Sequence, residues 1–243
     1  MSHNLEIDSR VKFLQKYVKQ AKSDGLILGI SGGKDSAVVA ALAKRAFPNN
    51  VYGVIMPCYS LKEDVEHGKK LCEALEVEYE VVDLSKSYDT ILESVKEPLN
   101  DQAKSNIKPR LRMTTLYAIA QQKNYLVLGT GNRAEIVLGY FTKYGDGGSD
   151  VNPISDLKVH QVFDMARELN IPQEIINKPP SAGLWEGQTD EQELGIRYSD
   201  VDDFLDGKEV DPKVREKIIS KYKATEHKRQ TFAQYKDIGP LKF

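Results

Sequence analysis

The chain alternates short apolar runs with longer segments in which apolar residues recur every three or four positions. The short runs predict buried strands at residues 26–30, 51–56, 77–83 and 125–130. The longer segments predict helices at residues 5–21, 36–47, 61–75, 88–95 and 106–122. Strands that alternate with helices are typical of parallel sheets. We therefore predict an α/β fold, a doubly wound parallel sheet flanked by helices.

The pattern changes after Gly139. Residues 141–153 are rich in glycine and aspartate and predict a mobile loop, and shorter helical patterns follow at residues 159–169, 198–205 and 211–225. A long polar loop between them carries the single tryptophan, Trp185. With no internal repeat and no low-complexity linker, residues 1–243 are expected to form one domain.

Composition narrows the possible partners. The 243 residues include 34 Lys and Arg against 36 Asp and Glu, and this near balance argues against a dedicated nucleic-acid binder. Cys58 and Cys72 form no C-x-x-C pair, so they are expected to be core thiols rather than zinc, cluster or disulfide ligands. No apolar run reaches the length of a membrane span. These features predict a cytoplasmic protein with no membrane or nucleic-acid partner.

The strongest chemical signal follows the first strand, where small residues lead into a helix: Gly29, Ile30, Ser31, Gly32, Gly33, Lys34, Asp35 and Ser36. A Walker loop requires Ser or Thr after the lysine, and Asp35 breaks that pattern. The glycine spacing also fails the dinucleotide fingerprint G-x-G-x-x-G. The remaining pattern, S-G-G-x-D-S, matches in full and resembles the signature of ATP pyrophosphatases, which cleave ATP between its α and β phosphates.

The residue types suit that chemistry. Backbone N–H groups at a glycine turn before a helix bind anions, and Lys34 adds a positive charge. Asp35 would repel phosphate alone, which predicts a bridging Mg²⁺ ion. A second strand ends in Gly-Thr-Gly-Asn and leads into a helix with Glu135 in its first turn. Because parallel strands place their carboxyl ends at one edge, Glu135 is a candidate second carboxylate for that ion.

A narrower resemblance covers nearly the whole chain. The blocks LGTGNRAE, GYFTKYGDGGSD, KPPSAGLWEGQTDEQELG and TEHKRQ resemble successive blocks of the ammonia-dependent NAD synthetases, of the N-type ATP pyrophosphatase family. This resemblance implies an adenine-nucleotide alpha hydrolase-like, Rossmann-like fold. It also implies a ligase that adenylates the nicotinate carboxylate of deamido-NAD with ATP, after which ammonia displaces AMP to give NAD, AMP and pyrophosphate.

The resemblance implies roles for particular residues. Thr130 and Ser181 would contact ATP together with the loop from Gly29 to Ser36, while Asp35 and Glu135 would hold Mg²⁺. Many relatives have threonine where Ser181 stands, and serine keeps the hydroxyl. The deamido-NAD contacts would come from Arg110, Lys143, Asp150, His227 and Lys228. The resemblance further implies a homodimer, and the chain has no length for a glutaminase domain, so ammonia itself is the expected nitrogen donor.

One departure and two alternatives stand beside this interpretation. Relatives commonly place a lysine near ATP at the position of Val159, whereas here the lysine is Lys158, one residue earlier. Another enzyme on the same scaffold, such as a tRNA-modifying or GMP-forming pyrophosphatase, is the first alternative. A nucleotide-binding module without catalysis is the second, and Mg²⁺-dependent conversion of ATP to AMP would exclude it.

Overall fold

The computed structural model describes residues 3–178 and 190–231, so Ser181 and Trp185 lie outside the described residues. Its strands are β1 Gly25–Gly29, β2 Val51–Ile55, β3 Glu78–Val81 and β4 Tyr125–Val127. The helices up to β4 are α1 His3–Ala21, α2 Lys34–Ala46, α3 Lys62–Ala74, α4 Ser85–Ser94 and α5 Asp101–Lys123. Those after β4 are α6 Arg133–Leu138, α7 Val159–Glu168, α8 Gln173–Ile176, α9 Asp190–Leu194, α10 Tyr198–Leu205, α11 Pro212–Ala224 and α12 Glu226–Arg229.

The four strands form one parallel sheet in the order β3-β2-β1-β4. The chain therefore moves outward from β1 through β2 to β3 and returns to the other side of β1 for β4. Crevices that bind ligands in open α/β sheets lie outside the carboxyl ends of the strands at such a reversal. In this sheet the reversal lies between β1 and β4.

Helices cover both faces of the sheet, as predicted for a doubly wound fold. Leu26 and Leu28 of β1 are buried in a core that includes α1, α2 and α7, while Ile27 faces a second core built with α5. Side chains alternate between the faces of a strand, so a strand covered on both sides is apolar throughout. A third cluster joins α6 to α10 and α11 and extends the fold beyond the sheet.

Most predicted element boundaries differ from the structure by a residue or more, and two of the larger differences have a physical reason in nearby hydrogen bonds. Helix α5 begins at Asp101 instead of residue 106, because the Asn100 side chain accepts a hydrogen bond from the Ala103 N–H at 2.8 Å and caps an earlier turn. Strand β4 ends at Val127 instead of residue 130. Its ladder stops because Leu128 bridges to Val151 and the Gly129 N–H donates to the Val151 carbonyl at 2.9 Å.

The glycine-rich segment of residues 141–150, predicted to be mobile, consists of hydrogen-bonded turns in this structure. The Thr142 N–H donates to Asp146 Oδ1 at 2.9 Å, and the Gly145 N–H donates to the Thr142 carbonyl at 2.9 Å. Short-range bonds of this kind let an aspartate-rich segment satisfy its own backbone. We call this segment the glycine loop.

Candidate active site

Residues 31–36, here called the phosphate loop, join the carboxyl end of β1 to the start of α2. The Ser31 and Ser36 hydroxyl oxygens lie 3.0 Å apart, the Gly33 N–H donates to Ser31 Oγ at 3.2 Å, and Ser36 donates to the Gly33 carbonyl at 2.9 Å. Gly33 is the N-cap of α2, and no side chain caps that end. Uncapped N–H groups at a helix start attract anions. The loop is therefore preformed by its own hydrogen bonds, and the start of α2 has no side-chain cap that would occupy its N–H groups.

Gly32 is required by the backbone of the loop. Its φ of +74° is in the left-handed region, and a β-carbon added there would lie 2.5 Å from the Asp64 carbonyl oxygen and 3.1 Å from His67 Cβ. Both contacts are on α3, so the loop lies directly against that helix. Any side chain at Gly32 would push the loop and α3 apart.

Lys34 is almost fully buried, and its ammonium is paired with a neighbouring carboxylate. Its ammonium donates to Asp35 Oδ2 at 2.7 Å and lies 5.1 Å from the centre of the Phe163 ring. Burial lowers the pKa of Lys34, but the negative charges of Asp35 and Glu135 outweigh it and leave the pKa raised. Lys34 therefore stays protonated and supplies a fixed positive charge at the loop.

Asn132 connects the phosphate loop to the loop after β4. Its side-chain nitrogen donates to Asp35 Oδ1 at 3.1 Å, and its side-chain oxygen accepts from the Glu135 N–H at 3.1 Å. Glu135 completes a capping box at the start of α6 by accepting from the Asn132 N–H at 2.8 Å. The two predicted metal carboxylates, Asp35 and Glu135, are thereby both hydrogen-bonded to one asparagine.

The electrostatics of this pair suit a divalent cation. Burial, together with the negative charge of Asp35, raises the pKa of Glu135 well above its ordinary value. A carboxylate whose charge is disfavoured by a neighbouring carboxylate is relieved by a cation, and Mg²⁺ is commonly held by one or two carboxylates plus substrate phosphates. Within residues 3–178 and 190–231 no group of three or more His, Cys, Asp or Glu side chains is placed to hold a metal ion.

Four residues predicted to bind deamido-NAD form a connected set around the glycine loop. The Arg110 guanidinium donates to the Lys143 carbonyl at 3.2 Å, and the Lys143 ammonium donates to the His227 carbonyl at 2.8 Å. The Lys228 ammonium donates to the carbonyls of Gly139 and Phe141, each at 2.7 Å. Basic side chains here satisfy carbonyls at and beyond the end of α6. Their contact with a dinucleotide stays a prediction.

The other predicted residues differ in their surroundings. Asp150 accepts from the Val127 N–H at 2.8 Å and from the Tyr117 hydroxyl at 3.1 Å, so it anchors the glycine loop to β4. Thr130 is half-buried just beyond β4, at the edge where the phosphate loop begins. Lys158 pairs with Asp206, while Val159 is buried in the third cluster. The roles of Asp150 and Thr130 in ligand binding stay predictions.

Sequence reasoning missed a buried carboxylate close to this site. Asp190 accepts from the hydroxyls of Tyr140 at 3.2 Å and Tyr198 at 3.1 Å, and its negative charge raises the pKa of both Lys34 and Glu135. Asn132 was also missed, although Asn followed three residues later by Glu is a readable capping signal. Asp190 follows a polar stretch of the sequence, and no local pattern marked it.

These features define a class: an α/β protein whose preformed phosphate loop and paired carboxylates lie at the reversal of a parallel sheet. A family model for NAD synthase matches residues 6–232. The chain is 47% identical over 241 residues to the NH(3)-dependent NAD(+) synthetase of Alkaliphilus oremlandii, covering 94% of this chain and 96% of that protein. The chain belongs to the NAD synthase family.

Solved structures agree with this assignment. The NMN synthetase of Francisella tularensis superposes with a TM-score of 0.93 at 38% identity, covering 96% of this chain and 98% of that one. The NH3-dependent NAD synthetase of Campylobacter jejuni gives a TM-score of 0.82 at 30% identity, with 97% and 100% covered. Both similarities extend over essentially the whole chain, so the predicted adenine-nucleotide alpha hydrolase-like fold is confirmed.

Proposed function

We propose that this chain is an ammonia-dependent NAD synthase that converts deamido-NAD, ATP and ammonia into NAD, AMP and pyrophosphate. The observation that carries the proposal is that Asp35 and Glu135 both accept hydrogen bonds from Asn132, directly beside the phosphate loop. Membership of the NAD synthase family supports the same reaction. ATP is the co-substrate that activates the carboxylate.

The first step activates the nicotinate carboxylate. A carboxylate oxygen attacks the α-phosphorus of ATP, the bond from that phosphorus to the bridging oxygen breaks, and pyrophosphate leaves. Negative charge gathers on the leaving pyrophosphate, and donors fixed in advance stabilise such charge. The N–H groups of the phosphate loop and the buried ammonium of Lys34 are the groups that this chain provides for that purpose.

The second step forms the amide. Ammonia attacks the carbonyl carbon of the adenylate, the bond from that carbon to the AMP oxygen breaks, and the nitrogen loses one proton. AMP leaves with an oxygen that belonged to the carboxylate. The adenylate must be shielded from water for this to occur. The glycine loop, which Arg110 and Lys228 fix by hydrogen bonds, is the segment we expect to provide that cover.

We propose Mg²⁺ as the cofactor of this site, held by Asp35 and Glu135. When bound, the ion would neutralise phosphate charge that these carboxylates would otherwise repel. The raised pKa of Glu135 supports the proposal, because a cation at that carboxylate would displace its proton.

A second candidate substrate is nicotinate mononucleotide. The Francisella tularensis structure with a TM-score of 0.93 is an NMN synthetase, and its 38% identity covers nearly the whole chain. Both candidates present the same carboxylate, so the steps at the phosphate loop would be identical. Deamido-NAD differs from nicotinate mononucleotide in carrying an additional adenosine monophosphate unit.

One competition experiment tests both. The purified protein is incubated with ATP, Mg²⁺, ammonium and equal concentrations of deamido-NAD and nicotinate mononucleotide, and all products are separated by chromatography. The proposal predicts NAD in excess over NMN, with AMP equal to the sum of both amides. An excess of NMN would select the second candidate, and AMP formation without either amide would contradict the amidation itself.

The remaining features of the proposal concern assembly and location. We propose a homodimer, which the resemblance to the ammonia-dependent NAD synthetases implies. We also propose a cytoplasmic location, which the free thiols of Cys58 and Cys72 support. In the part of the chain that the structure describes, no helix is both long and apolar enough to cross a bilayer. Light scattering tests the assembly directly, since a dimer would have twice the 27.3 kDa chain mass.

A further inference from the structure

The C-terminal end of α6 is held by side chains of α12, the last helix that the structure describes. Helix α6 has six residues, and an isolated helix that short is not stable in water. Its N-terminal end is fixed by the capping box of Asn132 and Glu135. The last carbonyls of a helix have no partners further along it, so they depend on donors from elsewhere. Helix α12 supplies such donors.

Arg229 supplies the bonds to α6 itself. Its Nη1 donates to the carbonyls of Ile136 and Val137, each at 3.3 Å. These two residues directly follow Glu135, the carboxylate that the proposed function places on Mg²⁺. The neighbouring Lys228 donates instead to carbonyls beyond the helix. A positive charge at the C-terminal end of a helix is also favoured by the helix dipole.

The guanidinium of Arg229 is fixed on its other side by the end of α11 and the turn after it. It lies 4.0 Å from the centre of the Tyr222 ring, and it donates to Thr225 Oγ1 at 2.8 Å and to the Tyr222 carbonyl. Its Nη2 is 3.3 Å from Glu226 Oε2, and the side chain is only 13% exposed. A planar guanidinium that is stacked and hydrogen-bonded in this way has little freedom to move. Its bonds to α6 therefore fix that helix relative to α11.

The backbone at the end of α6 lies directly against the same region. A β-carbon added at Gly139, the C-cap of α6, would be 2.2 Å from Thr225 Cβ. Leu138 of α6 and Ile218 of α11 are buried together in the third cluster. Because packing here leaves no gap, a change at Arg229 is passed on to α6.

We propose that Arg229 is a positioning residue that holds Glu135 where it can bind Mg²⁺, by fixing the C-terminal end of α6. The proposal rests on the proposed function, because it takes Glu135 as a ligand of the ion. It extends that function by giving the TEHKRQ block a role at the metal carboxylate, besides the deamido-NAD contacts predicted for His227 and Lys228. Metal affinity depends on the groups that orient the ligands as well as on the ligands themselves.

Stabilisation by Mg²⁺ alone tests this without turnover. The melting temperature is measured over a series of MgCl₂ concentrations at constant ionic strength for the wild-type protein, Arg229→Met and Arg229→Lys. The dissociation constant of Mg²⁺ is obtained from the shift relative to the same protein without Mg²⁺, so a change in basal stability does not enter. Methionine removes the donors and the charge, whereas lysine keeps both. Lys44→Met is the matched control, because it removes another bond from a cation to a carbonyl, that of Glu76.

The dissociation constant of Mg²⁺ should rise at least about fivefold in Arg229→Met, approaching the tenfold or more that follows loss of a group in contact with a metal ligand. Arg229→Lys and Lys44→Met should stay within about twofold of wild type, the scatter expected of independent sites. In Glu135→Gln, adding Arg229→Met should cause no further loss, because the arginine acts through that carboxylate. If the Met variant does not fold, Arg229→Gln, whose amide is too short to reach as far, takes its place with the same expectation.

The proposal would be overturned by any of four results. These are an unchanged dissociation constant in the folded Met variant, an equal loss in Arg229→Lys or in Lys44→Met, an equal further loss in the Glu135→Gln background, or no stabilisation of the wild-type protein by Mg²⁺.

The proposed reaction is tested separately, because it is read from amide formation. A protein that forms NAD but binds Mg²⁺ equally well with and without Arg229 would contradict the positioning role alone. A protein whose Mg²⁺ affinity depends on Arg229 but which forms no amide would contradict the reaction and leave the positioning role standing.

Discussion

The Asn132 side chain donates to Asp35 Oδ1 at 3.1 Å and so joins the two loops that follow β1 and β4. The same side chain caps α6 through the Glu135 N–H. Asn132 is 1% exposed, so neither bond competes with solvent. One asparagine therefore sets both the start of a helix and the separation of the two carboxylates.

Replacing Asn132 with aspartate should separate these two roles. The Asn132→Asp variant keeps an oxygen for the helix cap, but it loses the donor to Asp35 and adds a third negative charge. We expect a fall of at least about tenfold in kcat/KM, the scale of one hydrogen bond to a charged group. Steady-state kinetics with ATP and deamido-NAD measure it.

Asn100→Asp is the matched control, since Asn100 caps α5 by accepting from the Ala103 N–H and takes no part in the hydrogen bonds that join Asn132 to Asp35 and Glu135. It should retain wild-type kinetics. Equal activity of the two variants would contradict a role for Asn132 beyond capping.

Gly32 should be the more sensitive of two glycines with the same backbone conformation. Gly32 and Gly207 have φ values of +74° and +73°. A β-carbon added at Gly32 would lie 2.5 Å from the Asp64 carbonyl oxygen, whereas one added at Gly207 would have no atom within 4 Å. Alanine at Gly207 should lower the free energy of unfolding by about 1–2 kcal/mol, the cost of the left-handed conformation. Alanine at Gly32 should cost more and also weaken ATP binding.

Urea denaturation and ATP titration measure these effects. Equal costs for the two alanine variants, with unchanged ATP affinity, would mean that the contact between the phosphate loop and α3 is not tight.

Glu135 should make the protein less stable as the pH rises. Its pKa is raised in the folded state by burial and by Asp35, so the folded state binds more protons than the unfolded state above the ordinary glutamate value of about 4.3. The free energy of unfolding should therefore fall between that pH and the raised pKa, and then level off. Glu135→Gln keeps an oxygen for the capping box and should remove this fall.

Urea denaturation at a series of pH values gives the comparison, with the exposed Glu209→Gln as control. If the stability of Glu135→Gln depends on pH in the same way as that of the wild-type protein, the pKa of Glu135 is not raised in the folded state. Mg²⁺ should stabilise the wild-type protein more at high pH than at low pH, because the proton and the ion compete for the same carboxylate.

The sequence predicted the sheet and the phosphate loop well because both depend on local patterns. Apolar runs mark strands such as β1, and the S-G-G-x-D-S match is confined to six consecutive residues. Asp190 could not be found in this way. Its importance comes from the groups that lie beside it in space, and no local pattern in the sequence marks the effect of its charge on Lys34.

The same limit applies to Lys228. Its place in the TEHKRQ block implied a ligand contact, which stays a prediction, and the sequence did not show that its ammonium donates to two backbone carbonyls beyond α6. Burial lowers the pKa of Lys228, consistent with an ammonium withdrawn from solvent. A resemblance of sequence blocks cannot by itself distinguish a cation that binds substrate from one that fixes a loop.

Lys228→Met should loosen the glycine loop. Methionine keeps the length of the side chain but leaves the carbonyls of Gly139 and Phe141 without this donor. Hydrogen bonds to charged groups contribute about 1.5–3 kcal/mol, so amide exchange across residues 139–145 should accelerate by at least about tenfold. Hydrogen exchange read by mass spectrometry measures it. The exposed Lys223→Met is the control, and unchanged exchange in Lys228→Met would contradict the anchoring role.

The most direct test of the central claim, carboxylate adenylation at the phosphate loop, follows one oxygen atom. Deamido-NAD labelled with ¹⁸O in its nicotinate carboxylate is converted in the presence of ATP, Mg²⁺ and ammonium, and the AMP is analysed by mass spectrometry. The account predicts one ¹⁸O in each AMP, and loss of both products in Asp35→Asn. Unlabelled AMP, or labelled phosphate accompanied by ADP, would show that the carboxylate does not attack the α-phosphorus and would contradict the account.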